Sequence, residues 1–314
     1  MYYPYLRGKQ FELKALKEFS EANPNAKDII PIIEPVSQSY RALTSAMDEL
    51  VDNGMKFAMI VNPRDGDFRH STVSFSLLDE KPELLSITDK WIPAYICEGD
   101  LSLVNGAINT SPFNEVMLVF KSCANIDDPL VQTLINNPKV SLIVNCFGKS
   151  VSRRTKKYLI DSGKRIICLE DSFITRSKNA DYKDYEDEFF SEMPFFWQDE
   201  NYSGFSDYTA MSSDYTEGGY QPYAIAIHMT YLRGEEIYIH HFVSDSNLTT
   251  SDIKGKFVEA ARKVEPFFAG NVQSAAVEDL INRANQGERG FPGLGYLKKL
   301  SVLNHLEVIK SVIS

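Results

Sequence analysis

The sequence predicts an α/β fold, a closed (β/α)8 barrel of the TIM type. Three observations predict it. Short apolar runs alternate with helix-like stretches eight times within the first ~210 residues, the count an eight-fold barrel needs. The runs are apolar almost continuously, as in parallel strands buried on both faces. No glycine-rich GxGxxG follows the first run, which disfavours the rival open, doubly wound sheet.

Taken in order, the first run covers residues 2–6 and is followed by a helix over 11–22. There Phe11, Leu13, Leu16 and Phe19 recur at mixed three- and four-residue spacing, and Asn23-Pro24-Asn25 ends the helix. The second run, IIPIIEPV, covers 29–36; its helix spans about 39–51 and closes at Asn53-Gly54. The third covers 56–63 and leads into a longer connection, RDGDFRH, carrying Arg64, Asp65, Asp67, Arg69 and His70. That loop reads as a rim or lid, or as a solvated turn. The fourth run (91–100) precedes a helix at 101–108, the fifth (115–122) a helix at 127–135, and the sixth (140–148) a basic helix at 152–161. The seventh covers 164–172. An acidic, aromatic segment without clear periodicity follows at 176–201, and then an eighth short run, GFSDYT, at 204–209.

Beyond residue 209 the pattern changes. Residues 222–245 form two β-rich runs joined by Arg233-Gly234-Glu235, the signature of a hairpin inserted near the last βα unit. Helices follow at 251–268, 274–285 and 296–313. No low-complexity linker divides the chain, so residues 1–314 read as a single barrel domain.

The chain has 33 basic and 43 acidic side chains, a net charge of -10, which argues against bulk nucleic-acid binding driven by phosphate neutralisation. No run approaches the roughly 20 apolar residues of a membrane span, and the start lacks an apolar leader. Cys97, Cys123, Cys146 and Cys168 show no CxxC pairing and read as reduced, buried thiols of a cytoplasmic protein.

Barrel enzymes place their chemistry at the C-terminal ends of the strands. The eight runs end near 7, 34, 62, 98, 121, 145, 170 and 208, at Arg7, Glu34, Asn62, Glu98, Lys121, Asn145, Glu170 with Asp171, and Asp207. Alternation places Glu34 with Ile32, Asn62 with Ile60, Lys121 with Val119 and Asn145 with Ile143; if those apolar residues fill the barrel, the polar ones crown it. Parity does not choose between Glu170 and Asp171. In such a ring Arg7, Lys9, Arg64 and Lys121 suit an anionic group such as phosphate. Glu34, Glu98, Glu170, Asp171 and Asp207 suit acid–base work or Mg²⁺, and Asn62 and Asn145 suit substrate orientation. His228, on the first hairpin run, is placed to reach the mouth, whereas His240 and His241 point to opposite faces. The competing arrangement is a set of ion pairs closing the barrel top, with Arg7 paired to Glu34 or Asp207.

The opening LRG and the later EPV invite comparison with glycerophosphodiester phosphodiesterases. Arg7, Gly8 and Glu34 fit that pattern, but its catalytic His and metal-binding Asp are missing, so that activity is not assigned. The opening YYPYLRGKQFELKAL, the run IIPIIEPV and GFSDYT together resemble the Beta-protein family of phage satellites and bacterial mobile islands. The resemblance extends along most of the chain and touches Arg7, Gly8, Lys9, Gln10, Glu34 and Asp207. It implies a role in phage defence beside a second protein of the same locus, and supplies no reaction. Two readings follow. In one, the chain binds a phosphate-bearing ligand (a nucleotide or phosphodiester) at the barrel mouth and, as a hydrolase, cleaves it. In the other it is a non-enzymatic sensor or regulator that docks a toxin or phage protein. An enzyme needs Glu34, Asp207 and at least one of Glu98, Glu170 or Asp171 around one open space within about 3–5 Å; a docking protein has such groups locked in mutual ion pairs.

Overall fold

A computed structural model of the chain describes residues 1–69, 75–148, 152–217, 221–271 and 274–313. His70 lies outside them. Eight parallel strands form a nearly closed barrel: β1 (Tyr5–Arg7), β2 (Ile32–Glu34), β3 (Phe57–Ile60), β4 (Trp91–Ile96), β5 (Val116–Phe120), β6 (Val140–Cys146), β7 (Arg165–Glu170) and β9 (Gly204–Asp207), hydrogen-bonded in that order. Between β7 and β9 in sequence lies β8 (Asp187–Ser191), which belongs to a separate antiparallel sheet with β10 (Ala226–Leu232) and β11 (Ile237–Val243).

The helices follow the expected alternation. They include Gln10–Ala22, Arg41–Asp52, Leu101–Thr110, Pro129–Asn136 and Arg153–Asp161. Asp100, Asp128 and Ser152 accept first-turn backbone N–H groups and so fix where three of them begin. The C-terminal stretch read as one helix is broken into Ile253–Ala261 and Val264–Phe268. It is followed by Ala275–Asn285 and Leu294–Ile313.

The barrel closes between its first and last strands. Tyr2 bridges both Ile29 and Phe205, and the Tyr3 N–H donates to the Phe205 carbonyl at 2.8 Å. Gly204 makes the closure possible, since a Cβ there would meet the Met1 carbonyl oxygen at 2.7 Å and the Tyr3 ring at 2.8 Å. One continuous apolar cluster fills the interior: Tyr3 and Tyr5, Ile30 and Ile32, Ala58 and Ile60, Ile92, Ala94 and Ile96, Met117 and Val119, Leu142 and Val144, Ile167 and Leu169, and Tyr208. This is the layered side-chain filling of a small barrel.

The chain divides into two compact units. The first comprises Met1–Leu13, Ser20–Asp171 and Phe196–Tyr208 and contains the barrel strands. The second comprises Lys14–Phe19, Ser172–Phe195 and Thr209–Ser314 and contains the antiparallel sheet. The hairpin expected at 222–245 is present as β10 and β11, with His228 directly opposite His241. Its third strand, β8, pairs antiparallel with β11 and lies within the segment that showed no periodicity. Among the described residues, no helix is long and apolar enough to cross a membrane.

Candidate functional site

The interior cluster fixes which strand-end residues face the barrel mouth. Tyr5, Ile32, Ile60, Ile96 and Val119 lie inside, so Arg7, Glu34, Asn62, Glu98 and Lys121, two positions on, carry the inward parity. On β6 the interior residues are Leu142 and Val144, which turns Asn145 outward and puts Cys146 at the rim. On β7 the interior residue Leu169 gives Asp171 the inward parity and turns Glu170 outward. On the last strand Tyr208 is interior and Asp207 faces out. The crown inferred for Asn145 and Asp207 is therefore corrected. Strands apolar on both faces carry no alternation from which parity can be read.

The outward residues have structural partners. Asp207 is buried and accepts the Tyr2 hydroxyl at 2.7 Å. Asn145 Oδ1 accepts the Ala124 N–H at 2.9 Å, while its Nδ2 is buried without a partner.

At the mouth, five charged or phenolic groups meet. Glu34 is fully buried. Its Oε2 accepts the Tyr5 hydroxyl at 2.6 Å and Lys121 Nζ at 2.8 Å, and its Oε1 accepts the Arg64 backbone N–H at 2.9 Å. Lys121 also lies 3.6 Å from Asp65 Oδ2, which accepts Arg7 Nε at 3.0 Å. The chain of contacts thus runs Tyr5–Glu34–Lys121–Asp65–Arg7, two cations matched by two carboxylates. Arg7 pairs with Asp65, a residue of the loop after β3, and its backbone N–H donates to Glu12 at 2.7 Å. Burial works against the Arg7 charge, but the Asp65 hydrogen bond and the charges of Asp65, Glu12 and Glu34 outweigh it and raise its pKa. Burial, then the Glu34 charge and hydrogen bond, push the Tyr5 phenol well above its ordinary range, so it stays a donor. Tyr208 packs against Tyr5 with ring centroids 5.1 Å apart and lies beneath the Arg7 guanidinium at 5.6 Å.

The remaining predicted residues take lesser places. Asn62 pairs reciprocally with the Ile96 backbone, Nδ2 to its carbonyl at 2.9 Å and Oδ1 from its N–H at 2.8 Å. Its amide thereby extends the β3–β4 ladder beyond the last strand residue. Asn62→Ala removes both bonds and is expected to cost about 1–3 kcal/mol of unfolding free energy, read by denaturant titration. Lys9 lies in the turn after β1, its N–H on the Arg7 carbonyl at 2.6 Å. Arg64 is exposed, and its guanidinium donates to the Glu98 backbone carbonyl at 3.1 Å. Glu98 itself lines a cavity of about 190 Å³ with Cys97, Ser122, Cys123, Asn125 and Asp128. All four cysteines are free. Burial pushes the Cys97 and Cys168 thiols up to about 12, which keeps them protonated and unreactive; of the four expected to be buried only Cys168 is, whereas Cys97 and Cys146 are half-buried and Cys123 is exposed. His228 belongs to the second unit, where it contacts His241.

Tyr5 and Asp65 are the members of the network that strand-end reasoning passed over. Tyr5 shares parity with Arg7, a signal present in the sequence. Asp65 appeared only as part of a charged loop. Among the described residues no group of three or more His, Cys, Asp or Glu is arranged to hold a metal ion. The donor set at Glu34 does not fit Mg²⁺, because Lys121, Tyr5 and a backbone N–H already occupy its oxygens. No protein-family model matches the chain, and no curated protein does.

Proposed function

We propose that this chain is a non-enzymatic component of a phage-defence system, acting in the cytoplasm by docking a protein partner from the same locus. The phage-defence setting rests on the resemblance of the opening and strand motifs. The observation that carries the non-enzymatic part is the state of Glu34. The carboxylate best placed to act as a base is fully buried, and both of its oxygens are taken by donors. Asp207, its expected partner, is turned to Tyr2 on the other face. A general base must reach the proton it removes, and neither acid meets that condition.

A second reading is favoured by Arg64. Its guanidinium has no carboxylate partner among the described residues and stands at the rim, where a ligand phosphate would find a charge-assisted donor. Purified protein incubated with nucleotides and a chromogenic phosphodiester, with and without Mg²⁺, separates the readings. The docking reading expects no turnover, together with a stable complex when the neighbouring gene is co-expressed. Turnover that Glu34→Gln abolishes overturns it. Arg64→Ala is expected to change stability by no more than about 0.5 kcal/mol. Nucleotide affinity lost in that variant, read by calorimetry, supports the ligand reading instead.

A further inference from the structure

The second unit carries a chemically coherent cluster that the barrel mouth does not use. β10 and β11 set His228 and His241 directly opposite each other, and their Nδ1 atoms stand 2.6 Å apart. β8 supplies Glu188, which pairs with Ile239 in register, and its Oε2 lies 3.1 Å from His241 Nε2. The other Glu188 oxygen is held by Arg176. Tyr182 lies against both imidazoles, with centroids 4.8 and 4.6 Å away, and Phe173 stands edge-on to both. His241 is buried, whereas His228 is only half-buried.

The hydrogen bonds dictate the tautomers. An ionised carboxylate only accepts, so His241 Nε2 carries the proton on the Glu188 side. The Nδ1 of neutral His241 is then a lone pair. Two ring nitrogens at 2.6 Å need one proton between them, and His228 Nδ1 must carry it. His228 Nε2 is left as a lone pair. It makes no hydrogen bond among the described residues and is not one of the enclosed, partnerless atoms.

Both rings are neutral at pH 7. Burial, with the charges of His241 and Lys298, holds His228 well below the usual imidazole range. Burial pulls His241 down to about 3, helped by His240 and Arg176 and opposed by Asp187. The groups facing the pair are thus Glu188 and Asp187 of β8, His240 of β11, Arg176 and Tyr182 of the segment before β8, and Lys298 of helix Leu294–Ile313.

We propose that His228 Nε2 is the hydrogen-bond acceptor of a second site, which binds a ligand bearing a hydroxyl group and whose tautomer is fixed by the Glu188–His241–His228 relay. The ligand hydroxyl keeps its proton and donates it as a hydrogen bond to the Nε2 lone pair, since both rings stay neutral. A carboxylate fixes the tautomer of an imidazole in this way, here extended by one ring. Glu188 and His241 are positioning residues.

Diethyl pyrocarbonate, which acylates neutral imidazole nitrogens, reads the lone pair directly on the full chain, with sites mapped by mass spectrometry. An ordinary histidine with pKa near 6.5 should react about thirtyfold more slowly at pH 5 than at pH 8. His228 is expected to change less than about twofold over that range. Glu188→Gln is expected to slow it about tenfold, through loss of the charge that fixes the tautomer. A His228 that does not react, that follows the ordinary pH curve, or that ignores Glu188→Gln in a folded protein overturns the proposal. Long-range ¹H–¹⁵N spectra of the unaltered protein test it without any variant. Protons on His228 Nδ1 and His241 Nε2 are expected, and the reverse tautomers refute the relay.

Discussion

Glu34→Ala is expected to lower the unfolding free energy by about 3–5 kcal/mol, the loss typical of breaking a buried ion pair from one side. The carboxylate holds three donors at once, and its removal leaves the buried Tyr5 hydroxyl without its acceptor and Lys121 with Asp65 alone at 3.6 Å. The magnitude reflects stranded polar groups more than lost attraction. Replacing both partners, Glu34→Leu with Lys121→Met, is therefore expected to cost far less than the sum of the single changes. A double-mutant cycle by urea denaturation measures that difference. Additive losses would show that the two groups act independently, against the geometry. Any loss of function in Glu34→Ala therefore reports folding first, because the carboxylate is fully buried among its donors.

Gly66→Ala is expected to cost more than about 2 kcal/mol and to unseat Asp65. Gly66 has φ +62°, a conformation that costs an L-residue about 1–2 kcal/mol by itself. A Cβ there would also stand 2.0 Å from the Val36 carbonyl oxygen, an atom of the backbone that cannot rotate away. That carbonyl accepts the Asp67 N–H at 3.0 Å, so the turn is stitched to the β2 exit at the point of collision. Asp65 immediately precedes the turn and would be carried off Arg7. Gly234→Ala provides the comparison. Gly234 has nearly the same φ, +66°, with nothing within 4 Å of its Cβ position. Equal losses of melting temperature in the two variants would show that conformation alone matters and that the collision does not.

The barrel was legible because parallel strands buried on both faces leave long apolar runs, and eight of them are hard to arrange otherwise. The same property hid the direction of the side chains. In LIVNC of β6 both faces are apolar, so nothing local distinguishes Asn145 from Cys146 as the inward residue. On the last strand, Asp207 and the neighbouring Tyr208 pose the same ambiguity, which the packing of Tyr208 against Tyr5 resolves. Asp65 escaped for another reason. Its partner Arg7 lies 58 positions earlier, and a charged loop looks the same whether it is solvated or paired. β8 was obscured by composition, since DEFFS places acids and aromatics together without the two-residue alternation of a half-buried strand.

The closure of the barrel through Tyr2 and Phe205 also bears on how the protein is made. One edge of the first strand finds its partner in residue 29 almost at once, but the other must wait for residue 205. At the usual pace of about 5–20 residues per second, the ribosome leaves that edge unpaired for roughly 10–40 s. Throughout that interval the nascent sheet exposes a strand able to pair with a neighbouring chain. The yield of correctly assembled barrel should therefore depend on translation speed across the middle of the message and on chaperones that shield the open seam.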